Sequence, residues 1–312
     1  MSMQPIQKII WAVDAFSEDT ALQLKLLRQL KNLADTIPVT IQPVMVLSPD
    51  QLNMPPNLFA ELSESIEVTA NKELVHLTEK HKVPGMQKPE ILLSKNNSLR
   101  AAVEILNSYA KKTSADLVAV STQSKKGVTH FLFGSFAETL ILQSEIPIFV
   151  INPSLHNLKR NKSILFPTDL SEASRVALEE VIKMAQERKF SVVLFNRVEY
   201  HNQFAVPDFD AGAYTTFLEN NVVVRKQDLE ALSEYARGKG VKIEWRLDES
   251  LGSSVSEAIV TVAKKMRVNL IAMASRSGPI ASTILGSTTR SVVRSASCPI
   301  WVLRPGPGSG EI

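Results

Sequence analysis

The chain has 312 residues, 44% of them apolar, and a formal net charge of +3 at pH 7. This length suffices for two domains of ordinary size, each with its own hydrophobic core. The small charge, with Lys and Arg scattered along the chain, argues against nucleic acid as a partner. A single cysteine, Cys298, excludes an internal disulfide framework and suits a reducing compartment.

The first half of the chain alternates apolar runs with helical patterns. The runs predict strands at residues 9–13, 39–47, 90–93, 117–120 and 148–151. Helical spacing predicts helices at about residues 17–34, 58–81, 98–112 and 135–144. Pro43 lies within the second strand and predicts an edge or a bulge there.

The second half repeats this course. Strands are predicted at residues 164–166, 191–198, 242–246, 270–273 and 300–303. Helices are predicted at about residues 172–186, 215–237 and 254–265, and from residue 287, with Ser171 capping the first of them. Residues 154–162 are polar and basic and indicate a linker between domains at 1–153 and 163–305. Residues 306–312 have the composition of a disordered tail.

The N-terminal segment shows no targeting signal. Residues 1–8 lack a basic region followed by an apolar core, and the run at residues 9–13 is too short to span a bilayer. We therefore expect a cytoplasmic protein that does not associate with membranes.

Short motifs recur about 152 residues apart. Gly134-Ser135 returns as Gly286-Ser287, and each is followed by a strand of the form Pro-Ile-x-Val. Asp14 and Asp169 each end a strand, and each is followed within three residues by Ser-Glu. Self-similarity at one long period indicates two copies of a domain.

Strands that alternate with helices predict right-handed crossovers and a mainly parallel sheet. The predicted fold class is therefore α/β, with two tandem, doubly wound domains of five strands each. Ligands of such sheets bind beyond the carboxyl ends of the strands. Asp14 and the loop at residues 121–135 lie at that edge, as do Asp169 and the loop at residues 274–287.

Two interpretations of these motifs remain open from the residues alone. A Gly-Ser pair at a helix N-terminus places backbone N–H groups where they bind an anion, but it also serves as an ordinary helix start. An aspartate at a strand end either contacts a ligand or closes a turn. The five histidines show no metal-ligand spacing, and Cys298 is expected to be an inert, buried side chain.

Two tandem copies of strand-Asp-helix, each ending in a small-residue loop, Gly-Ser, a helix and Pro-Ile-x-Val, resemble the universal stress protein family. The resemblance covers residues 8–304 and implies an adenine nucleotide alpha hydrolase-like fold. Nucleotide-binding members of that family carry Gly-x2-Gly-x9-Gly-Ser/Thr, which holds the phosphates and ribose of ATP. The aspartate and a group near the end of the second strand meet the adenine or ribose.

The resemblance implies a nucleotide site in each half. The positions that match are Asp14, Val46, Ser121, Ser124, Gly134 and Ser135 in the first half and Asp169, Val198, Ala274, Ser277, Gly286 and Ser287 in the second. Ser121, Ser124, Ala274 and Ser277 replace glycines, which adds a Cβ where a phosphate approaches. The first site keeps the loop spacing and has Lys125, Lys126 and His130 nearby, so it is the favoured one.

The resemblance therefore implies a stress-response regulator that binds ATP or another adenine nucleotide in one or both halves, with Mg²⁺ left undetermined. One alternative is a degenerate scaffold that binds no nucleotide and acts through an unknown protein partner. A slow ATP hydrolase is a weaker alternative, since no residue is identifiable as activating water. The resemblance also implies an intramolecular pseudo-dimer in contact through the fifth strands, and it leaves a homodimer open.

Overall fold

The computed structural model describes residues 6–17, 20–35, 38–122, 135–155, 162–198, 211–275 and 286–304. In the first half it contains β1 (Lys8–Ala12), α1 (Thr20–Ala34), β2 (Thr40–Leu47), α2 (Pro56–Lys80), β3 (Glu90–Leu93), α3 (Leu99–Lys112), β4 (Leu117–Ser121), α4 (Ser135–Gln143) and β5 (Ile148–Ile151). In the second half it contains β6 (Ser163–Pro167), α5 (Glu172–Arg188), β7 (Ser191–Arg197), α6 (Ala211–Gly238), β8 (Ile243–Asp248), α7 (Val255–Met266), β9 (Leu270–Ala274), α8 (Ser287–Ser295) and β10 (Ile300–Leu303).

These elements form two compact units. The first contains β1 to β5, α1 to α4 and β10, and the second contains β6 to β9 and α5 to α8. The predicted α/β class with mainly parallel strands is confirmed in both. Most of the predicted linker and the predicted tail, at residues 156–161 and 305–312, lie outside the described residues.

The sheet of the first unit has the order β3-β2-β1-β4-β5-β10. All neighbours from β3 to β5 are parallel, with Ala12 opposite both Val44 and Val120. β10 runs antiparallel to β5, and Trp301 lies opposite Phe149.

The sheet of the second unit has the order β9-β6-β7-β8, and every pair is parallel. Its central strands β6 and β7 are almost wholly buried because helices cover both faces. Such strands read as continuous apolar runs, which explains why the sequence located them. The carboxyl ends of β6, β7 and β9 consequently finish at one edge.

Of the edge or bulge predicted at Pro43, the edge is wrong because β2 has β1 and β3 as neighbours. Ile41 donates its N–H to Gly85 on the side that β3 occupies, and Pro43 faces the same side. Pairing of β2 with β3 begins only at Val44. The missing N–H of Pro43 therefore costs no ladder hydrogen bond.

Two helices of the second unit begin with a side-chain cap, whereas Ser98 at the start of α3 makes no cap hydrogen bond. Ser171 accepts a hydrogen bond from the N–H of Ser174 and caps α5, as predicted. Ser254 and Glu257 form a reciprocal capping box at the start of α7. Cys298 is free and buried, and burial raises the pKa of its thiol to about 12, which fits the inert role expected of it.

Within the described residues, no helix is long and apolar enough to cross a membrane. The same part of the chain brings together no cluster of His, Cys, Asp and Glu side chains suited to a metal ion.

Gly85 has a backbone conformation and a close contact that only glycine accommodates, and this can be tested by substitution. Its φ is +75°, and a Cβ there would lie 1.9 Å from the carbonyl oxygen of Val39. We expect Gly85→Ala to lower the free energy of unfolding by about 2–4 kcal/mol, because strain and a backbone clash add. Gly240→Ala is the matched control, since φ is +80° with no atom within 4 Å, and should cost only about 1 kcal/mol. Equal losses in urea denaturation would contradict the clash.

Glu180 on α5 predicts a dependence of stability on pH. Burial raises the pKa of Glu180 from 4.5 to about 7. A carboxyl whose pKa is higher in the folded than in the unfolded state destabilises the fold as pH rises between those two values. Glu180→Gln lacks this titration. We therefore expect its free energy of unfolding to rise relative to that of the parent by roughly 3 kcal/mol between pH 4.5 and pH 8. A difference that is constant with pH, measured by urea denaturation, would contradict this account.

Candidate functional site

A cavity of about 430 Å³ lies at the carboxyl edge of the second unit. Three strand ends contribute to it: Pro167 of β6, Arg197 of β7 and Ala274 of β9. This is the edge at which the alternation of strands and helices predicted a ligand. The polar side chains in its wall come from four elements or their adjoining turns, and they are Thr168, Asp169, Ser174, Asn196, Arg197, Arg225, Thr288 and Thr289.

Asp169 closes the turn between β6 and α5 and also lines the cavity. Its Oδ1 accepts hydrogen bonds from the N–H of Ser171 at 3.0 Å and from the hydroxyls of Ser171 and Ser174, both at 2.6 Å. Leu170, with φ of +63°, lies between them and donates its N–H to the Thr168 hydroxyl. Asp169 therefore closes the turn and lines the cavity with the same side chain.

A buried carboxamide joins the strand end to α6. Asn196 is 3% exposed, and its Nδ2 donates to the carbonyl oxygen of Thr168 at 2.7 Å. Its Oδ1 accepts a hydrogen bond from Nη1 of Arg225 at 3.0 Å. The Nε of Arg225 in turn donates to Oδ1 of Asn221, one turn earlier on α6. Both ends of the Asn196 amide are thus satisfied, and both of its partners line the cavity.

Arg197 is tied to the turn after β8. Its Nη1 lies 2.8 Å from Oδ2 of Asp248 and 2.8 Å from the Ser253 hydroxyl. Its Nη2 donates to the carbonyl oxygen of Ser250 at 2.9 Å. Its side chain is 5% exposed, so this pair is well shielded from solvent. The charge of Arg197 is therefore neutralised within the protein.

The remaining wall of the cavity is apolar, apart from the start of one helix. Phe195, Val255, Ile259 and Met273 offer a hydrophobic surface that suits a flat ring. Thr288 and Thr289 belong to the first turn of α8, whose backbone N–H groups favour negative charge. A ligand with an aromatic ring and an anionic group fits these surroundings.

The structure places the predicted residues of the second half as follows. Asp169 and Ala274 line the cavity. Ser287 begins α8, Gly286 directly precedes it, and the next two residues of α8 reach the cavity wall. Ser277 lies outside the described residues.

Strand register makes Arg197, and not Val198, the residue of the second half that corresponds to Val46. The N–H of Val13 donates to the carbonyl oxygen of Val44, and the N–H of Thr168 donates to that of Phe195 in the same way. Two residues further along, Val46 and Arg197 therefore occupy equivalent places. Val198 is buried and its N–H is bonded to Asp248 of β8.

The predicted residues of the first half reach the corresponding edge. Asp14 follows β1 and accepts the N–H of Phe16 at 2.9 Å, Val46 is buried in β2, and Ser121 ends β4. Ser135 begins α4. Ser124, Gly134, Lys125, Lys126 and His130 lie outside the described residues.

Sequence reasoning missed the polar network of Thr168, Asn196 and Arg225. Thr168 and Asn196 lie at the ends of apolar runs, where one polar residue indicates only that a strand stops. Arg225 lies in the middle of a long helix, between three valines and the exposed Lys226. The sequence shows Arg225 only as one charged residue of a helix, and this does not indicate that it contacts the end of a strand.

The comparisons with known proteins agree with this architecture. The family model described as the universal stress protein family matches residues 5–152 and again residues 160–304. The chain belongs to the universal stress protein family. Both halves are matched, so the tandem arrangement indicated by the repeats is confirmed.

Individual relatives are distant. A universal stress protein of Methanocaldococcus jannaschii is 26% identical over 159 residues, which are 50% of this chain and 90% of that protein. A crystal structure of a universal stress protein from Archaeoglobus fulgidus covers 96% of this chain and 97% of its own, with 18% identity and a TM-score of 0.63. Another structure, of the universal stress protein from Archaeoglobus fulgidus in complex with dAMP, covers 45% of this chain and 95% of its own, with 18% identity and a TM-score of 0.33.

The network around Asn196 predicts a cost for its removal. Asn196→Ala leaves the buried carbonyl oxygen of Thr168 without its Asn196 donor and Arg225 without one acceptor. We expect the free energy of unfolding to fall by about 1–3 kcal/mol in urea denaturation. Asn221→Ala is the control on the other side of Arg225; it removes a single part-buried bond and should cost less. A larger loss for Asn221→Ala than for Asn196→Ala would contradict the assigned role of the buried amide.

Proposed function

We propose that this universal stress protein is a stress-response regulator that binds an adenine nucleotide in the cavity of its second unit. The observation that carries the proposal is the convergence of Asp169, an apolar wall and the first turn of α8 on one cavity of about 430 Å³. A volume of this size accommodates a ligand of nucleotide dimensions.

Each part of a nucleotide has a matching surface. The apolar side chains of Phe195, Ile259 and Met273 suit the base, and the Asp169 carboxylate suits a hydroxyl or amino group as donor. The first turn of α8 suits a phosphate. We propose binding without turnover, with ligand occupancy altering a surface that a partner protein contacts.

Titration of nucleotide-free protein with ATP by isothermal calorimetry tests this proposal. Gly286→Val should weaken binding at the second site about 10-fold or more, because the added side chain stands at the start of α8. A Cβ at Gly286 meets no described atom within 4 Å, so the fold should tolerate the change. Gly238→Val is the matched control, since its Cβ also meets nothing within 4 Å and it lies at the far end of α6.

Asp169→Ala should weaken the same binding event, and Asp14→Ala should leave it intact because Asp14 belongs to the other half. Equal ATP binding by the parent and by Gly286→Val would contradict a site at α8. If the protein does not bind ATP at millimolar concentration, the proposal that it binds a nucleotide is contradicted.

A scaffold that binds no nucleotide is a second candidate, favoured by apolar side chains that α6 leaves exposed. Phe217 is 60% exposed and Val224 is 54% exposed, and seven residues of helix place them two turns apart on one face. Exposed apolar side chains on one helix face are typical of protein contacts. If capture of a partner is abolished by Phe217→Glu and unaffected by Gly286→Val in nucleotide-free protein, the scaffold is supported.

A further inference from the structure

Arg225 is a residue of the cavity to which neither the repeat motif nor the family pattern pointed. It reaches the carboxyl edge from the middle of α6, and it is half-buried there. Two hydrogen bonds fix its guanidinium, one to Oδ1 of Asn196 at 3.0 Å and one to Oδ1 of Asn221. Because Asn196 is itself held by the carbonyl oxygen of Thr168, the position of the guanidinium is set by the end of β6.

The charge of Arg225 is available to a ligand. Both of its hydrogen-bond partners are neutral amide oxygens, and in the part of the chain that the structure describes no carboxylate lies within 4 Å of it. Arg197, the other arginine of the cavity, is instead paired with Asp248 at 2.8 Å. A guanidinium has five N–H donors in a planar fork, so the two amides leave donors for a further acceptor.

Among its described residues, the first half has no equivalent of this network. By strand register, Val13 corresponds to Thr168 and Met45 corresponds to Asn196. Both are buried apolar side chains that offer no hydrogen-bond acceptor to a guanidinium. Among the described residues, the hydrogen-bonded network of Thr168, Asn196 and Arg225 therefore occurs only in the second unit.

We infer that Arg225 contacts an anionic group of the ligand directly and makes the second unit select phosphorylated over unphosphorylated adenine ligands. This inference rests on the proposed nucleotide binding and adds a specificity residue to it. A pre-positioned guanidinium beside neutral amides binds phosphate through charge-assisted hydrogen bonds without first breaking an ion pair. The ligand charge would thereby act on α6 through Arg225, whose hydrogen bond to Asn196 of β7 is linked to Thr168 at the end of β6.

The experiment compares AMP with adenosine on the purified full chain by isothermal calorimetry, with pyrophosphate as a third probe. Arg225→Gln keeps a donor for Asn196 but removes the charge, and Arg225→Lys keeps the charge. We expect the parent to prefer AMP, Arg225→Gln to reduce that preference about 10-fold or more while adenosine affinity stays the same, and Arg225→Lys to retain part of it. Lys226→Gln is the matched control, since Lys226 is adjacent on α6, is exposed and pairs with Glu249 at 2.9 Å.

Each outcome decides a different claim. An unchanged preference for AMP in Arg225→Gln would overturn the role of Arg225 and leave nucleotide binding in place. If the parent binds no adenine ligand but binds pyrophosphate in a manner that Arg225→Gln abolishes, the nucleotide proposal fails and the anion contact stands. If the parent binds none of the three, or if Lys226→Gln changes the preference as much as Arg225→Gln, the inference is overturned.

Discussion

Parallel hydrogen bonding in register is the constraint on which the site depends. Because β6, β7 and β9 run in one direction, the residues that follow them meet at a single edge, where no ladder partner remains. The turn at Asp169, the Asn196 amide and the start of α8 all occupy that edge. Strand order and direction thus bring together residues that are as far apart in the sequence as Thr168 and Thr289.

The two halves share this scaffold but differ in the chemistry of the edge. In the first, Val13 and Met45 are buried and apolar, whereas their counterparts Thr168 and Asn196 form a hydrogen-bonded chain to Arg225. A buried polar network is stable only when every member is satisfied, and the Asn196 amide meets that condition at both ends. The two copies therefore share an architecture, and among the described residues the second carries a charged, pre-organised edge.

The fold was largely predictable because its signals are local. Parallel strands buried on both faces appear as apolar runs, and a repeated Asp at a strand end with a repeated Gly-Ser pair showed the duplication. The predicted edge position of Pro43 was wrong because the sequence does not show where β3 begins to pair. The loops at residues 123–134 and 276–285 lie outside the described residues, so the nucleotide sites of both halves stay predictions.

The network of the candidate site was not predictable for a physical reason. Arg225 and Thr168 are 57 residues apart, and their connection runs through a side chain whose direction depends on strand register. The same register moves the counterpart of Val46 from Val198 to Arg197, a shift of one residue that reverses the face on which a side chain lies. The hydrophobic pattern of the sequence predicts the strand, but it does not show which of these two residues corresponds to Val46.

The most direct measurement is to denature the purified protein, release any bound small molecule and identify it by mass spectrometry, then to titrate the emptied protein with ATP. The account predicts an adenine nucleotide in the released fraction and at least one equivalent of ATP bound on refilling. No released nucleotide, together with no binding at millimolar ATP, would contradict it and leave the scaffold as the function of this chain.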